Sequence, residues 1–254
     1  MANAIQANNP DLWRGTFPRK RPDGHKYDSG LVQIFGAPKL TGATRLAAES
    51  CARVGAGLVC VLAPKGTGDI YRASLPAHIL VYDSDFWKER VSARLYGPGG
   101  LAVKPDYKSK IPTVLDADAL YELPGTLGEN FILTPHEGEF AHAFPDIQGT
   151  KIEKAQVAAK LTGAVMVLKG PETVITHPDG RTVVNTNATP ALATAGSGDV
   201  LAGMIAGLVA QGMPPFEAAC AAVWIHGEAA KRFGPGLVAS DLPDLIPAVL
   251  RDLS

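Results

Sequence analysis

Thr194-Ala195-Gly196-Ser197-Gly198-Asp199-Val200-Leu201-Ala202-Gly203 sets two glycines, a serine and a carboxylate at the head of an apolar run. That run predicts a long helix from Gly198 to about Gln211, ended by Gly212. Glycines on either side of Ser197 let the backbone turn tightly and bring its N–H groups close to a ligand. The helix points its positive dipole end and its unpaired N–H donors at the same place, an arrangement suited to phosphate. A carboxylate beside an anion pocket repels the ligand unless it has work to do, such as taking a proton from an attacking hydroxyl. Asp199 therefore reads as a general base in phosphoryl transfer. Simple helix capping by Ser197 or Asp199 is the plainer alternative. No Lys-Ser or Lys-Thr pair follows the glycines, so this is not a Walker loop.

Upstream of this segment, short β-branched runs alternate with alanine-rich stretches. Strands are expected at Leu31–Phe35, Leu58–Leu62, Ile79–Val81, Thr113–Leu115, Phe131–Leu133 and Val165–Leu168. Each is nearly continuous in apolar residues, as for strands covered on both faces. Gly42–Val54 predicts a helix with Ala43, Leu46, Ala47, Ser50 and Val54 on one side. The alternation points to an α/β fold, a mainly parallel central sheet with helices on both faces. Val174–Thr176 and Thr182–Asn185 flank His177-Pro178-Asp179-Gly180, where Asp-Gly predicts a hairpin turn. A further helix is expected over about Pro215–Phe233, after the Pro214-Pro215 break.

Residues 1–24 differ in composition from the rest and read as an N-terminal arm or linker, with Trp13 docked on a domain spanning 25–254. The basic run Phe17-Pro18-Arg19-Lys20-Arg21-Pro22 reads as a solvated segment. Over the whole chain of 254 residues, 24 basic and 25 acidic side chains leave a formal charge of -1, so neither nucleic acid nor an anionic membrane is an expected partner. No apolar stretch is long enough for a membrane span, and the start lacks a signal-peptide core. Cys51, Cys60 and Cys220 are odd in number and widely spaced, which suits buried thiols in a reducing cytoplasm.

Three more segments lie just past expected strands, where open α/β sheets place their ligands. They are Val167-Leu168-Lys169-Gly170-Pro171-Glu172-Thr173, Thr134-Pro135-His136-Glu137-Gly138-Glu139 and Val114-Leu115-Asp116-Ala117-Asp118-Ala119-Leu120. Each also has an ordinary reading: Lys169 as a surface charge, His136 as a hydrogen-bonded loop residue, Asp116 or Asp118 as a helix cap. Their shared position at strand ends is what favours a common site. His136 and His142 are six apart and fall on different helix faces, so they do not form a zinc motif.

Taken together, these segments resemble the NAD(P)H-hydrate dehydratase family of the ribokinase-like superfamily. The resemblance rests on HKYDSG (25–30), TGATRLAAESCARVGAGLV (41–59), GPGG (97–100), VLDADAL (114–120), TPHEGE (134–139), VLKGPETVI (167–175) and TPALATAGSGDVLAGMIAGLVAQG (189–212). It implies a ribokinase-like three-layer sandwich. It also implies repair of reduced nicotinamide cofactors hydrated at ring carbon six, acting on the S epimer with ADP or ATP as co-substrate and Mg²⁺ as cofactor. By motif, Asp199 would be the catalytic base, and Ala43, Gly99, His136 and Asp199 would meet the hydrated cofactor. Lys169, Gly170, Pro171, Glu172 and Thr173, with Gly196, Ser197 and Gly198, would bind nucleotide. Glu139 would act on the metal indirectly, through water.

The chain departs from the family pattern at three places. Glu137 stands where a proline often follows the histidine of TPH, and Gly36-Ala37-Pro38-Lys39-Leu40 is less glycine-rich than usual. Gly99-Gly100 replaces a more usual Gly-Leu-Gly, leaving open which glycine of Gly97–Gly100 meets the substrate. Relatives often carry an N-terminal epimerase domain and are commonly homotetramers. The arm at 1–24 would then be either the start of a stand-alone enzyme or the linker of an excised domain. The chief rival reading is a vitamin-precursor kinase of the same superfamily, which would share Gly198 and Asp199 but gives no account of TPHEGE. A non-catalytic nucleotide-binding module is a third.

Overall fold

The computed structural model describes residues 5–84 and 88–253; residues 1–4 of the expected arm lie outside these. In chain order its elements are β1 (Gln6–Ala7), β2 (Leu31–Phe35), α1 (Thr41–Arg53), β3 (Leu58–Leu62), α2 (Gly68–Ser74), β4 (Ile79–Tyr82) and β5 (Ala93–Tyr96). There follow β6 (Thr113–Leu115), β7 (Phe131–Leu133), α3 (Glu137–Ala143), α4 (Lys151–Thr162), β8 (Val165–Leu168), β9 (Thr173–Thr176), β10 (Thr182–Asn185), α5 (Ser197–Ala210), α6 (Pro215–Phe233) and α7 (Leu242–Leu253). The strands form one sheet in the order β1-β10-β9-β8-β7-β6-β5-β2-β3-β4. From β8 to β4 every neighbouring pair is parallel, and β9 is antiparallel to both β8 and β10. The expected α/β architecture is present, with the Asp-Gly hairpin as its antiparallel part.

Strand side chains alternate between two cores, as the two-residue period of a pleated strand requires. Val114, Ile132, Val165 and Val167 face a core shared with α1, α5, α6 and α7, while Leu115, Phe131, Leu133, Met166 and Leu168 face one shared with α3 and α4. Continuous apolar runs thus mark strands buried on both faces. Strand β5 escapes that signal because Arg94 interrupts its short run; pairing with β2 and β6 makes it a strand.

Residues 6–17 of the expected arm or linker pack against the domain, with Trp13 docked on it. Strand β1 adds to the sheet edge, pairing Gln6 with Val183 and Ala7 with Val184. Trp13 is 1 % exposed, its ring 5.9 Å from that of Trp224, and its Nε1–H donates to Asn8 Oδ1 at 3.3 Å. One indole with a satisfied N–H is enough to anchor an otherwise polar segment. Arg19, Lys20 and Arg21 are exposed, in keeping with a solvated run. Among the described residues, no helix is long and apolar enough to cross a membrane. Cys51, Cys60 and Cys220 are free and buried.

Helices α1 and α5 are in backbone contact. Cβ atoms built on Gly203 and Gly207 would collide with Ala47 and Ser50 and with Cys51 and Val54, so only glycine allows the approach. Ser50 Oγ donates to the Val200 carbonyl at 2.9 Å across the seam. Gly203→Ala is expected to force the helices apart at a cost of about 1–3 kcal/mol. Because α1 carries Ala43 and α5 carries Asp199, turnover should fall together with the urea midpoint. Unchanged values of both would show that the seam can relax.

Candidate active site

Strands β2 and β5 are neighbours, yet the chain leaves them in opposite directions, β2 toward β3 and β5 toward β6. Such a switch opens a crevice at the carboxyl ends of the strands. Gly36–Leu40 follows β2, Gly97–Gly100 follows β5, Asp116 follows β6, Thr134-Pro135-His136 follows β7 and Lys169 follows β8. A Cβ on Gly99, whose φ is 82°, would collide with the Leu40 carbonyl and stand 3.0 Å from the Cβ atoms of Ala37 and Ala43. Two expected substrate positions, Ala43 and Gly99, therefore meet at the switch point. Gly97 is pressed against the backbone of Asp116, whereas Gly100 is open toward Pro38 and Asp118.

Lys169 is the hub of the charged groups rather than a surface charge. Its side chain is 16 % exposed; Nζ donates to Asp116 Oδ1 at 2.8 Å and lies 3.7 Å from Glu139 Oε2. The same Nζ would be 3.3 Å from a Cβ on Gly198, so it also faces the start of α5. Asp116 is 3 % exposed and accepts a second hydrogen bond from Thr134 Oγ1 at 2.8 Å. Its side chain makes no capping bond to the short helix that follows, which removes the helix-cap reading. Ala117, at φ 45°, carries the turn immediately after it. Lys169 N–H donates to the Pro135 carbonyl at 2.8 Å, joining the TPHEGE and LKGPET segments.

These contacts decide the protonation states. Burial alone would push the Lys169 amine down, but Asp116, Glu139 and Asp199 outweigh it and hold the amine above its usual value. Asp199 goes the other way for a carboxyl. Burial pushes it up, the Asp116 and Glu139 carboxylates push further, and Lys169 only partly offsets them, leaving it at about 7. A carboxyl poised near neutrality beside a helix N-terminus is equipped to accept a proton.

His136 caps α3 rather than lying free in a loop. Its Nδ1 accepts from the N–H groups of Gly138 (3.0 Å) and Glu139 (3.1 Å), while Glu139 Oε2 accepts from His136 N–H at 2.8 Å. This is a capping box with imidazole in place of a hydroxyl. Two donors at Nδ1 put the ring proton on Nε2. The side chain is 60 % exposed, and Nε2 lies 3.5 Å from Glu139 Oε1.

Lys169–Thr173 forms the tight turn between β8 and β9, closed by Thr173 Oγ1–H to the Gly170 carbonyl at 3.1 Å. Lys151 Nζ donates to the Lys169 carbonyl at 2.9 Å beneath it, and Pro171 and Glu172 are exposed. Ser197 donates its hydroxyl to the Leu192 carbonyl at 2.7 Å and its N–H to that of Thr194 at 3.3 Å. The first-turn N–H groups of Gly198 and Asp199 are then the donors left for an anion. Buried His226 hydrogen-bonds the Ser197 backbone and is pulled down to about 4 by burial, so it braces the turn as a neutral ring. Asp116 had a signal in the sequence, an acid just past a strand. Lys151 and His226 had none, because their partners are set by tertiary contact.

Residues 31–248 match the family model described as NAD(P)H-hydrate dehydratase. The chain is 39 % identical to the bifunctional NAD(P)H-hydrate repair enzyme of Moorella thermoacetica over 94 % of this chain and 53 % of that one. It thus spans about half the length of the first bifunctional relatives it matches. It is also 33 % identical to the ADP-dependent (S)-NAD(P)H-hydrate dehydratase of Xanthomonas campestris pv. campestris, covering 92 % of each. The crystal structure of an ADP/ATP-dependent NAD(P)H-hydrate dehydratase from Bacillus subtilis, co-crystallised with ATP/Mg²⁺, superposes with a TM-score of 0.87 at 28 % identity over 100 % of both chains. A ribokinase from Thermotoga maritima shares the fold alone, with a TM-score of 0.60 at 13 % identity over 87 % of this chain and 99 % of that one. With a ribokinase-like three-layer fold and a family match over most of its length, the chain belongs to the NAD(P)H-hydrate dehydratase family.

Proposed function

We propose that the chain dehydrates the S epimer of hydrated NADH or NADPH, with ADP, or ATP in its place, as phosphoryl donor. The observation that carries this reading is Asp199, held at about 7 at the start of α5 beside Lys169. Hydroxide is a poor leaving group, so the ring hydroxyl is first phosphorylated. Its oxygen attacks the terminal phosphorus of the nucleotide, Asp199 takes the hydroxyl proton, and the P–O bond to AMP (or ADP) breaks. The C–O bond then breaks as the ring nitrogen's lone pair moves in, phosphate departs with the bonding electrons, and loss of a proton from the adjacent carbon restores the double bond. The N–H groups of Gly198 and Asp199, with the Lys169 ammonium, stabilise charge on the phosphoryl group. Ala43 and Gly99 form a close-fitting wall for the ring, and His136 Nε2–H offers it a donor.

Gly196–Gly198 and Lys169–Thr173 are the proposed nucleotide cradle. Mg²⁺ fits this donor set as a companion of the polyphosphate. Among the described residues no group of three His, Cys, Asp or Glu side chains is placed to hold a metal, and Glu139 is already bonded to His136 N–H. Glu139 would therefore reach the ion through water, and the ion would neutralise polyphosphate charge. ADP is favoured as donor because whole-length relatives bear that name. A homotetramer in the cytoplasm, and cooperation with an epimerase acting on the two hydrate epimers, belong to the same proposal. The buried thiols suit a reducing compartment.

The test supplies hydrated NADH with Mg²⁺ and either ADP or ATP and follows the return of near-ultraviolet absorbance. Recovery with ADP is expected. No recovery with either nucleotide, alongside stable phosphorylation of a vitamin alcohol, would put the kinase reading in its place.

A further inference from the structure

The residues assigned above hold one ring of a molecule that continues through two sugars and two phosphates to an adenine. Beside them lies a groove of about 330 Å³, lined among others by Leu101, Val103, Lys104, Tyr107, Asp118 and Tyr121. That volume is within the range of small-molecule sites, about 300–1,000 Å³. Asp118 relates the groove to the ring site. A Cβ on Gly100, next to the Gly99 wall, would be in van der Waals contact with Pro38 at 3.5 Å and Asp118 Oδ2 at 3.8 Å, and Asp118 lines the groove.

Its walls carry exposed apolar and aromatic side chains. Val103 is 55 % exposed and Tyr121 47 % exposed. The Tyr121 ring is held edge-on to His142 with centroids 4.6 Å apart, and Tyr107 is fixed by its hydroxyl donating to the Glu122 carbonyl at 3.1 Å. A flat aromatic face held open to solvent beside an apolar side chain suits a stacked base. The exposed Lys104 ammonium, 3.5 Å from Glu122, is on a stem long enough to swing to a phosphate, and Asp118 is an acceptor for sugar hydroxyls. We propose that this groove seats the adenosine half of the hydrated dinucleotide, with its base against Tyr121. The inference rests on the proposed dehydratase reaction.

A stacking contact made equally in the ground state and the transition state raises KM when lost and leaves kcat in place. The experiment compares hydrated NADH with hydrated reduced nicotinamide mononucleotide, which lacks the adenosine half, in the parent protein, Tyr121→Ala and Tyr121→Phe. Tyr121→Ala is expected to raise KM for the dinucleotide by about tenfold, the scale of one lost base–aromatic stack, with kcat unchanged. KM for the mononucleotide should stay as in the parent, and Tyr121→Phe should keep both values. A KM that moves equally for both substrates, or for neither, overturns the assignment. If the parent turns over neither substrate, the dehydratase reading fails separately. Equilibrium titration with NADH then decides the groove: weaker binding to Tyr121→Ala supports it, and equal binding refutes it.

Discussion

Replacing Asp199 with Asn is expected to lower kcat by about 10²–10⁴-fold, the usual contribution of a positioned general base. Asn keeps the shape of the side chain, so the fold and nucleotide KM should hold. The parent's kcat/KM should rise with pH through about 7 and level off above, because the base works only when deprotonated and free Asp199 titrates there. The Asn variant should lose that limb of the profile. Stability supplies an independent check. The folded-state value lies above the ordinary 3.8, so Asp199 favours folding at low pH, and that advantage is lost as pH rises from about 4 through about 7. Above pH 7, Asn removes the burden of a buried anion, so the variant's Tm should equal or exceed the parent's. Normal turnover by Asp199→Asn would remove the mechanism.

Lys169→Met should damage both stability and nucleotide use. Asp116, 3 % exposed, would lose the ammonium 2.8 Å away, and an uncompensated buried carboxylate costs about 3–5 kcal/mol. Lys169 also draws the Asp199 carboxyl down, so the pH limb should move to values above about 7 in the variant. KM for ADP should rise as the cation facing Gly198 disappears. Adding Asp116→Asn to Lys169→Met separates the two effects, because the orphaned charge is gone while the phosphate's cation is still missing. Urea unfolding should recover most of its midpoint in the double variant, whereas KM for ADP should not. A double variant as unstable as the single one would show that Lys169 acts by packing and not by charge.

Most of the sheet was legible because its strands are buried on both faces, which writes a continuous apolar run into each of them. The hairpin at 173–185 was legible from Asp-Gly, and α6 from its proline start. Strand β5 was not, since Arg94 breaks the run, nor was β1, which is two residues of an otherwise polar segment. Trp13 anchors that segment only because Trp224 and Asn8 are brought to it.

The opening segment, Thr194–Gly203, shows the same division. Its glycines, its carboxylate and the apolar helix behind them are local chemistry, so the sequence alone determined a glycine-flanked helix start with a candidate base. What the sequence could not carry is the environment of that base. Lys169 and Asp116 are 53 residues apart, and their contact needs β6, β7 and β8 to lie side by side. Ser197 still reads as a ligand contact in sequence, yet its hydroxyl is used within the chain, donating to the Leu192 carbonyl. The value of about 7 at Asp199 is likewise tertiary, since it is set by burial and by carboxylates from two distant loops. Electrostatic effects depend on distance and dielectric, and folding supplies both.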